Sequence, residues 1–281
     1  MRAPHSRSLS PNPLTSAVPT ISNVRAPKPK VVAIVLAHNV AALLPRAVDR
    51  IPKDLVDAII VMDNGSKDGT SDVARSLGLP VYRNEKNLGY GGNLRAGLTR
   101  AVAEYGAQYV VEVHGDGAQF NPAAIALALP FMERGVSFIM GSRFLEAGGA
   151  RRNGMPWVRL LANRGLTFVS RAILRLPLSE YHSGFRVYSR RFIETLPLAE
   201  NASGHLFSFQ ILAQAAYYGF DVAEVPVEAD YHSEHHSISL LSGAAYALTS
   251  VACLGDYLLA KSGLRHSPVF PKLAKSPKRV A

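Results

Sequence analysis

Two apolar runs in this chain end in the same way, and that shared ending limits the folds open to it. Tyr109-Val110-Val111-Glu112-Val113 leads straight into His114-Gly115-Asp116-Gly117-Ala118-Gln119, and Ala58-Ile59-Ile60-Val61-Met62 leads into Asp63-Asn64-Gly65-Ser66. Short apolar, β-branched runs bounded by Gly, Asp and Asn read as buried strands. A carboxylate just past such a strand stands at the carboxyl edge of the sheet, where open α/β sheets bind ligands. Two acidic strand ends on one edge suit a sugar nucleotide together with a divalent metal.

The rest of the chain repeats that alternation. Strands are predicted at Val31–Ala37, Ala58–Met62, Pro80–Tyr82, Tyr109–Val113 and Val136–Met140. Between them, helices are predicted from Ala41 to Arg50, from near Thr70, over Gly92–Tyr105 and over Pro122–Arg134. This is the pattern of an α/β fold with a mostly parallel sheet flanked by helices on both faces. Further on, the reading is a polar loop at Gly148–Pro156, a long helix at Trp157–Leu176, a short strand at Phe185–Tyr188, a helix at Phe207–Tyr218 and a strand at Asp221–Val227. Ile238–Ala260 is apolar enough to approach a bilayer span in length, but Ser242, Ser250 and Asp256 interrupt it, which favours a helix packed on the domain or lying at an interface.

The formal charge of +10 is concentrated at the ends. Residues 1–30 carry five Lys/Arg and residues 261–281 carry six, neither with an acid, so 31–260 holds 20 basic and 21 acidic residues. The body is therefore not a nucleic-acid binder. The expected organisation is a basic tail at 1–29, a catalytic domain at 30–237, and an apolar helix with a basic tail at 238–281. The basic tails suit either contact with an anionic membrane surface or solvated ends. The segment 1–29 has no apolar core of the length a secretory signal needs. One cysteine, Cys253, excludes a disulfide framework and fits a reducing, cytoplasmic setting.

Several clusters have the residue types that chemistry needs. Asp68 or Ser66 can cap the helix that follows them, whereas Asp63 is less easily read as a cap and more readily as a ligand residue. Asn84–Asn93 holds Gly89, Gly91 and Gly92 before a helix, a loop able to bring backbone N–H groups to a diphosphate. It is not a Walker loop, and the first strand has no dinucleotide fingerprint after it. Asp116 is the best metal ligand, with His114 as a second donor suited to Mn²⁺ more than to Mg²⁺. Glu180-Tyr181-His182-Ser183-Gly184-Phe185-Arg186 offers a guanidinium for a phosphate, or a buried ion-pair network. His232, His235 and His236 suggest zinc or a lid closing over a substrate.

Taken in order, these residues resemble the large inverting glycosyltransferase family that includes the dolichyl-phosphate mannose and glucose synthases, with the type-A nucleotide-sugar-binding fold. Ala37-His38-Asn39, Asp63, the segment from Asn87 to Gly97, Asp116, Gln119, Gly141-Ser142-Arg143 and Ser183-Gly184-Phe185-Arg186 match its signatures. The resemblance implies inverting transfer of a sugar from a UDP- or GDP-sugar to polyprenyl phosphate or another lipid or glycan, with Mg²⁺ or Mn²⁺ as cofactor. It implies donor contacts from Ala37, His38, Asn39, Asp63, Gly89, Gly92, His114 and Arg143, and metal ligation by Asp116 and His114. Catalytic roles fall to Asp116, Arg186 and Glu180, the last as base if the acceptor is an alcohol. The implied location is cytoplasmic, with the membrane face as a place to meet a lipid.

Val40, Asn64, Tyr90, His114 and Glu180 depart from the family's usual residues. Those at Val40, Asn64 and His114 motivate one alternative, a noncatalytic sugar-nucleotide-binding scaffold. A nucleotidyltransferase of the same broad fold is the other, although it normally carries a glycine-rich basic loop where this chain has His38–Leu44.

Overall fold

The computed structural model describes residues 28–117, 121–229 and 240–272. Its first half runs β1 (Val31–Ala37), α1 (Leu44–Asp49), β2 (Ala58–Asp63), α2 (Thr70–Ser76), β3 (Val81–Arg83), α3 (Gly89–Ala103) and β4 (Tyr109–His114). A 3₁₀ turn at Pro122–Ala124 then leads into α4 (Ile125–Glu133), β5 (Phe138–Ser142), α5 (Gly149–Arg152) and α6 (Trp157–Leu174). The last part holds β6 (Arg186–Ser189), α7 (Arg190–Thr195), α8 (Leu206–Tyr218), β7 (Val222–Pro226) and α9 (Leu240–Lys261).

One seven-stranded sheet carries the fold, in the order β3-β2-β1-β4-β6-β5-β7. β3, β2, β1 and β4 pair in parallel, as do β5 and β7. Val31–Val35 are wholly buried, the burial expected of a parallel strand covered on both faces. One core layer packs Ile34, Met62, Leu94 and Leu98 beneath α3, and the other packs Val35, Leu44, Val111 and Ile125 beneath α1 and α4.

The sheet is mixed rather than wholly parallel because β6 is antiparallel to both neighbours. That reversal matters for the site. The carboxyl ends of β4 and β5 and the amino end of β6 meet on one edge, so Arg186, the first residue of β6, pairs in register with Glu112.

The loop expected at Gly148–Pro156 contains the short helix α5, entered through Gly148 at φ 73°. Helix α7, not foreseen from the sequence, starts where the Ser189 side chain accepts the Phe192 N–H. Helix α9 is long and apolar enough, by length and composition, to cross a bilayer. Its inner face, however, is part of the core: Cys253, Leu254, Tyr257 and Ala260 are buried there. Gln119 and His232, His235 and His236 lie outside the described residues, as do residues 1–27 and 273–281.

Candidate active site

A cavity of about 320 Å³ opens at the carboxyl edge, beside the ends of β1 and β4 and the start of α3. Ala37, His38, Gly89, His114 and Asp116, all expected from the sequence, line it together with Asn64 and Tyr90. Asn39 and Gly92 support the site without lining it. Asn39 takes φ 52°, and its side chain accepts the Lys67 N–H at 2.8 Å while its own N–H donates to Ser66 Oγ at 2.9 Å. Gly92 donates its N–H to Ser203 O at 3.1 Å.

The glycine-rich segment is also held from within the protein. Asn64 Oδ1 accepts the Leu88 N–H at 2.9 Å, and Asn87 Oδ1 accepts the Gly89 N–H at 2.8 Å. The amino end of α3 is thus capped from within the protein. A Cβ on Gly89 would stand 2.4 Å from Ser203 O, and one on Gly91 would stand 2.5 Å from Phe207 Cβ. These glycines let α3 seat against the segment leading into α8.

Asp63 is tied into the protein. Its carboxylate is wholly buried, accepting the Ser66 N–H at 2.9 Å and the Ser71 hydroxyl, with Arg83 Nε 3.9 Å away. It braces the turn between β2 and α2 and does not face the cavity. Asn64, the next residue, does. Asp68 takes the capping role foreseen for it, accepting the Thr70 N–H at 3.1 Å and the Ala41 N–H at 2.9 Å.

Behind the cavity wall lies a charged network that the sequence reading missed. Glu112 is buried in the middle of β4, where its carboxylate accepts the Tyr90 hydroxyl and the Tyr188 hydroxyl, the latter at 2.6 Å. His114 Nε2 stands 3.3 Å from Glu112 Oε1. Burial works against the charged form of both groups. Their mutual contact overrides it, lowering the Glu112 pKa with help from Arg186 and Tyr188 and raising that of His114 with help from Asp116 and the Gly184 backbone. The His114 ring is therefore engaged by Glu112 and by Gly184, which argues against the metal-ligand role expected for it. Tyr90 stacks between His114 and His205, with ring centroids 5.9 and 5.1 Å away.

Glu180 and Arg143 form a second buried unit. Glu180 accepts the Arg143 backbone N–H at 2.7 Å and Nε at 2.8 Å, and it forms an ion pair with Nη2. With both carboxylate oxygens engaged by Arg143, Glu180 does not fit the role of a base acting on an acceptor hydroxyl. Arg143 is correspondingly tied to it, and lines a separate cavity of about 230 Å³ with Ser142, Glu146 and Glu228. Nearby, His182 stacks on Phe209 and places Nδ1 3.2 Å from the Tyr246 hydroxyl of α9. Burial, then the charges of Arg186 and Arg143, push its pKa down to about 3. Arg186 is itself buried, and its Nε and Nη1 have no hydrogen-bond partner among the described residues.

The family model for glycosyl transferase family 2 matches residues 32–196, which span β1 to β6 except for Val31. The chain belongs to this family. This glycosyltransferase is 28% identical over 226 residues to polyprenol monophosphomannose synthase of Mycolicibacterium smegmatis, covering 78% of this chain and 83% of that protein. It is 25% identical over 216 residues to UDP-N-acetylglucosamine–dolichyl-phosphate N-acetylglucosaminyltransferase of Methanococcus voltae, covering 70% and 84%. Its fold matches glucosyl-3-phosphoglycerate synthase of Mycobacterium tuberculosis, solved with Mn²⁺, UDP and glucosyl-3-phosphoglycerate, at a TM-score of 0.60 and 21% identity over 84% of this chain and 80% of that one. The type-A α/β architecture expected from the sequence is thereby shown.

Proposed function

We propose that this glycosyltransferase moves a sugar, with inversion, from a nucleotide-diphosphate sugar to the phosphate of a polyprenyl phosphate. The observation that carries the acceptor assignment is the contrast between two buried groups: Glu180 is closed onto Arg143, whereas Arg186 Nε and Nη1 have no hydrogen-bond partner among the described residues. An alcohol acceptor needs a base within hydrogen-bond reach. A phosphate is already an anionic nucleophile and needs instead a donor fork, which arginine supplies. The two lipid-phosphate relatives support the same reading, and a lipid acceptor implies an enzyme working at a membrane face.

The donor would occupy the cavity beside Ala37, His38 and Asn64, with its diphosphate towards Asp116. Asp116 is half-exposed on the cavity wall, and among the described residues no three His, Cys, Asp or Glu side chains converge into a closed metal site. One carboxylate completed by diphosphate oxygens and water fits Mg²⁺ or Mn²⁺. A divalent ion held there by Asp116 would offset charge on the departing diphosphate. Glu112, held by Tyr90, Tyr188 and His114, keeps the cavity wall rigid and places negative charge opposite Arg186.

Arg186→Lys and Arg186→Met test the acceptor assignment. Both should raise the KM for a short-chain polyprenyl phosphate and leave nucleotide affinity unchanged, with Arg186→Lys the milder. Loss of nucleotide affinity with an unchanged acceptor KM would place Arg186 on the donor instead.

A further inference from the structure

Helix α6 is built inside out for a protein surrounded by water. Its buried stripe includes Thr167 and Ser170, whose hydroxyls have no hydrogen-bond partner among the described residues, while its outer face carries large apolar side chains. Val158, Leu161, Phe168 and Val169 recur at helical spacing on that face, and Phe168 is 75% exposed. A helix stabilised against an aqueous exterior shows the opposite arrangement. Contiguous exposed apolar surface of this kind marks an interaction site.

Helix α9 packs beside α6 and carries an exposed apolar face of its own. Leu248, Val251, Leu258 and Leu259 point outward, and between Ser242 and Ala260 its only charged residue is Asp256. The charge around the face is mostly positive, although Arg265 pairs with Asp256 at 3.5 Å and Arg152 with Glu146 at 3.6 Å. From Ala147 to Ser179 there are six arginines and no carboxylate, and Lys261 and Arg265 follow at the end of α9. Trp157, at the start of α6, is 62% exposed with the Arg151 guanidinium 4.5 Å from its ring centroid. An apolar helix face with flanking cations and an interfacial Trp has the chemistry of a helix lying in the headgroup layer of an anionic bilayer.

We propose that the outer faces of α6 and α9 together dock this enzyme, flat, on an anionic lipid surface. The orientation follows from the inner face of α9. Cys253, Leu254, Tyr257 and Ala260 are core residues, so passing this helix through the bilayer would empty the core, whereas laying it on the surface leaves the fold intact. Docking also serves the acceptor reading, on which this inference builds. Tyr246 projects from α9 onto His182, so the helix that meets lipid on one side touches the His182–Arg186 cluster on the other. A polyprenyl chain held in the bilayer would then present its phosphate near that cluster.

The chain's single tryptophan makes the test direct. Full-length protein is mixed with vesicles of phosphatidylcholine alone or of phosphatidylcholine with phosphatidylglycerol, neither containing polyprenyl phosphate. Trp157 emission should shift to the blue, and brominated acyl chains should quench it, with the anionic vesicles far more than with the neutral ones. The double variant Leu161→Ser/Phe168→Ser should bind those vesicles about tenfold more weakly or worse, with unchanged melting temperature and unchanged turnover of a water-soluble short-chain polyprenyl phosphate. Equal binding by the variant, or no binding by the native protein, overturns the proposal. A concentration-dependent dimer abolished by the same substitutions would assign the face to a second copy and also overturn it. Failure of the acceptor reading shows separately, as binding to vesicles without transfer to the soluble acceptor.

Discussion

Replacing Glu180 with Gln separates two roles for this residue that differ in kind. The native carboxylate is wholly buried and receives the Arg143 backbone N–H at 2.7 Å, Nε at 2.8 Å and Nη2. Glu180→Gln keeps the shape, removes the charge, and turns an NH₂ donor towards a guanidinium that has only donors to offer. Removing one partner of a buried ion pair costs about 3–5 kcal/mol, because the surviving charge is left without its counterion. The retained amide oxygen argues for the lower end, about 3 kcal/mol. For a chain of this size each kcal/mol lowers the melting temperature by about 2–4 °C, so a fall of about 6–12 °C is expected. Arg143→Gln in the same background should recover part of that loss, a coupling that a double-mutant cycle measures. If Glu180 were instead the base, Glu180→Gln would leave melting unchanged and slow turnover by about 10²–10⁴-fold. Scanning calorimetry with single-turnover kinetics on the same samples reads both quantities. Slowed chemistry with an unchanged melting temperature would refute the assignment of Glu180 to structure.

Asp116→Asn should lower turnover by about 10²-fold or more and flatten its dependence on Mn²⁺ concentration, with melting shifted little because the residue is half-exposed; full activity with unchanged metal dependence would count against it. Asp63→Ala removes the acceptor of the Ser66 N–H and the Ser71 hydroxyl, so about 2–3 kcal/mol of stability should be lost together with nucleotide affinity. Lost affinity with melting intact would return Asp63 to direct ligand contact. His182 titrates at about 3 in the fold against 6.5 ordinarily, so only the unfolded chain takes up its proton as pH falls through that window. Native stability should therefore drop on acidification below about pH 6.5 by up to about 1.4 kcal/mol per pH unit from this group, and His182→Gln should lose that part of the slope. Identical slopes in denaturant titrations would contradict it.

The strands and their acidic ends were legible because burial leaves a plain mark: apolar runs closed by Asp, Asn or Gly place β1, β2 and β4 to within a residue. His38, Gly89, His114 and Asp116 were legible for the same reason, each standing at or just past a strand or at a helix start. What stayed hidden depends on partners distant in sequence. Glu112 reads as a lone acid in an apolar strand until β6 is laid antiparallel beside β4, which sets Arg186 opposite it and brings Tyr188 to its oxygens. Nothing in Tyr109–Val113 announces that pairing. Glu180 carries the opposite lesson: a dense polar cluster resembles catalytic machinery, whereas its carboxylate is buried against Arg143. The alternative raised for that cluster, a buried ion-pair network, is the one the geometry shows for Glu180 and Arg143. Helix α6 was visible as a helix, but which face points inward follows from its packing against α8 and α9.

Transfer to competing acceptors tests the central claim most directly. The native enzyme, supplied with UDP- and GDP-sugars and Mn²⁺, is offered a short-chain polyprenyl phosphate, 3-phosphoglycerate, and a neutral glycoside or lipid alcohol in separate reactions, and the products are identified by mass. The proposal predicts a glycosyl phosphodiester formed on the polyprenyl phosphate, with the other acceptors left unmodified. Efficient transfer to the neutral hydroxyl, or to 3-phosphoglycerate in preference to the lipid phosphate, would contradict it.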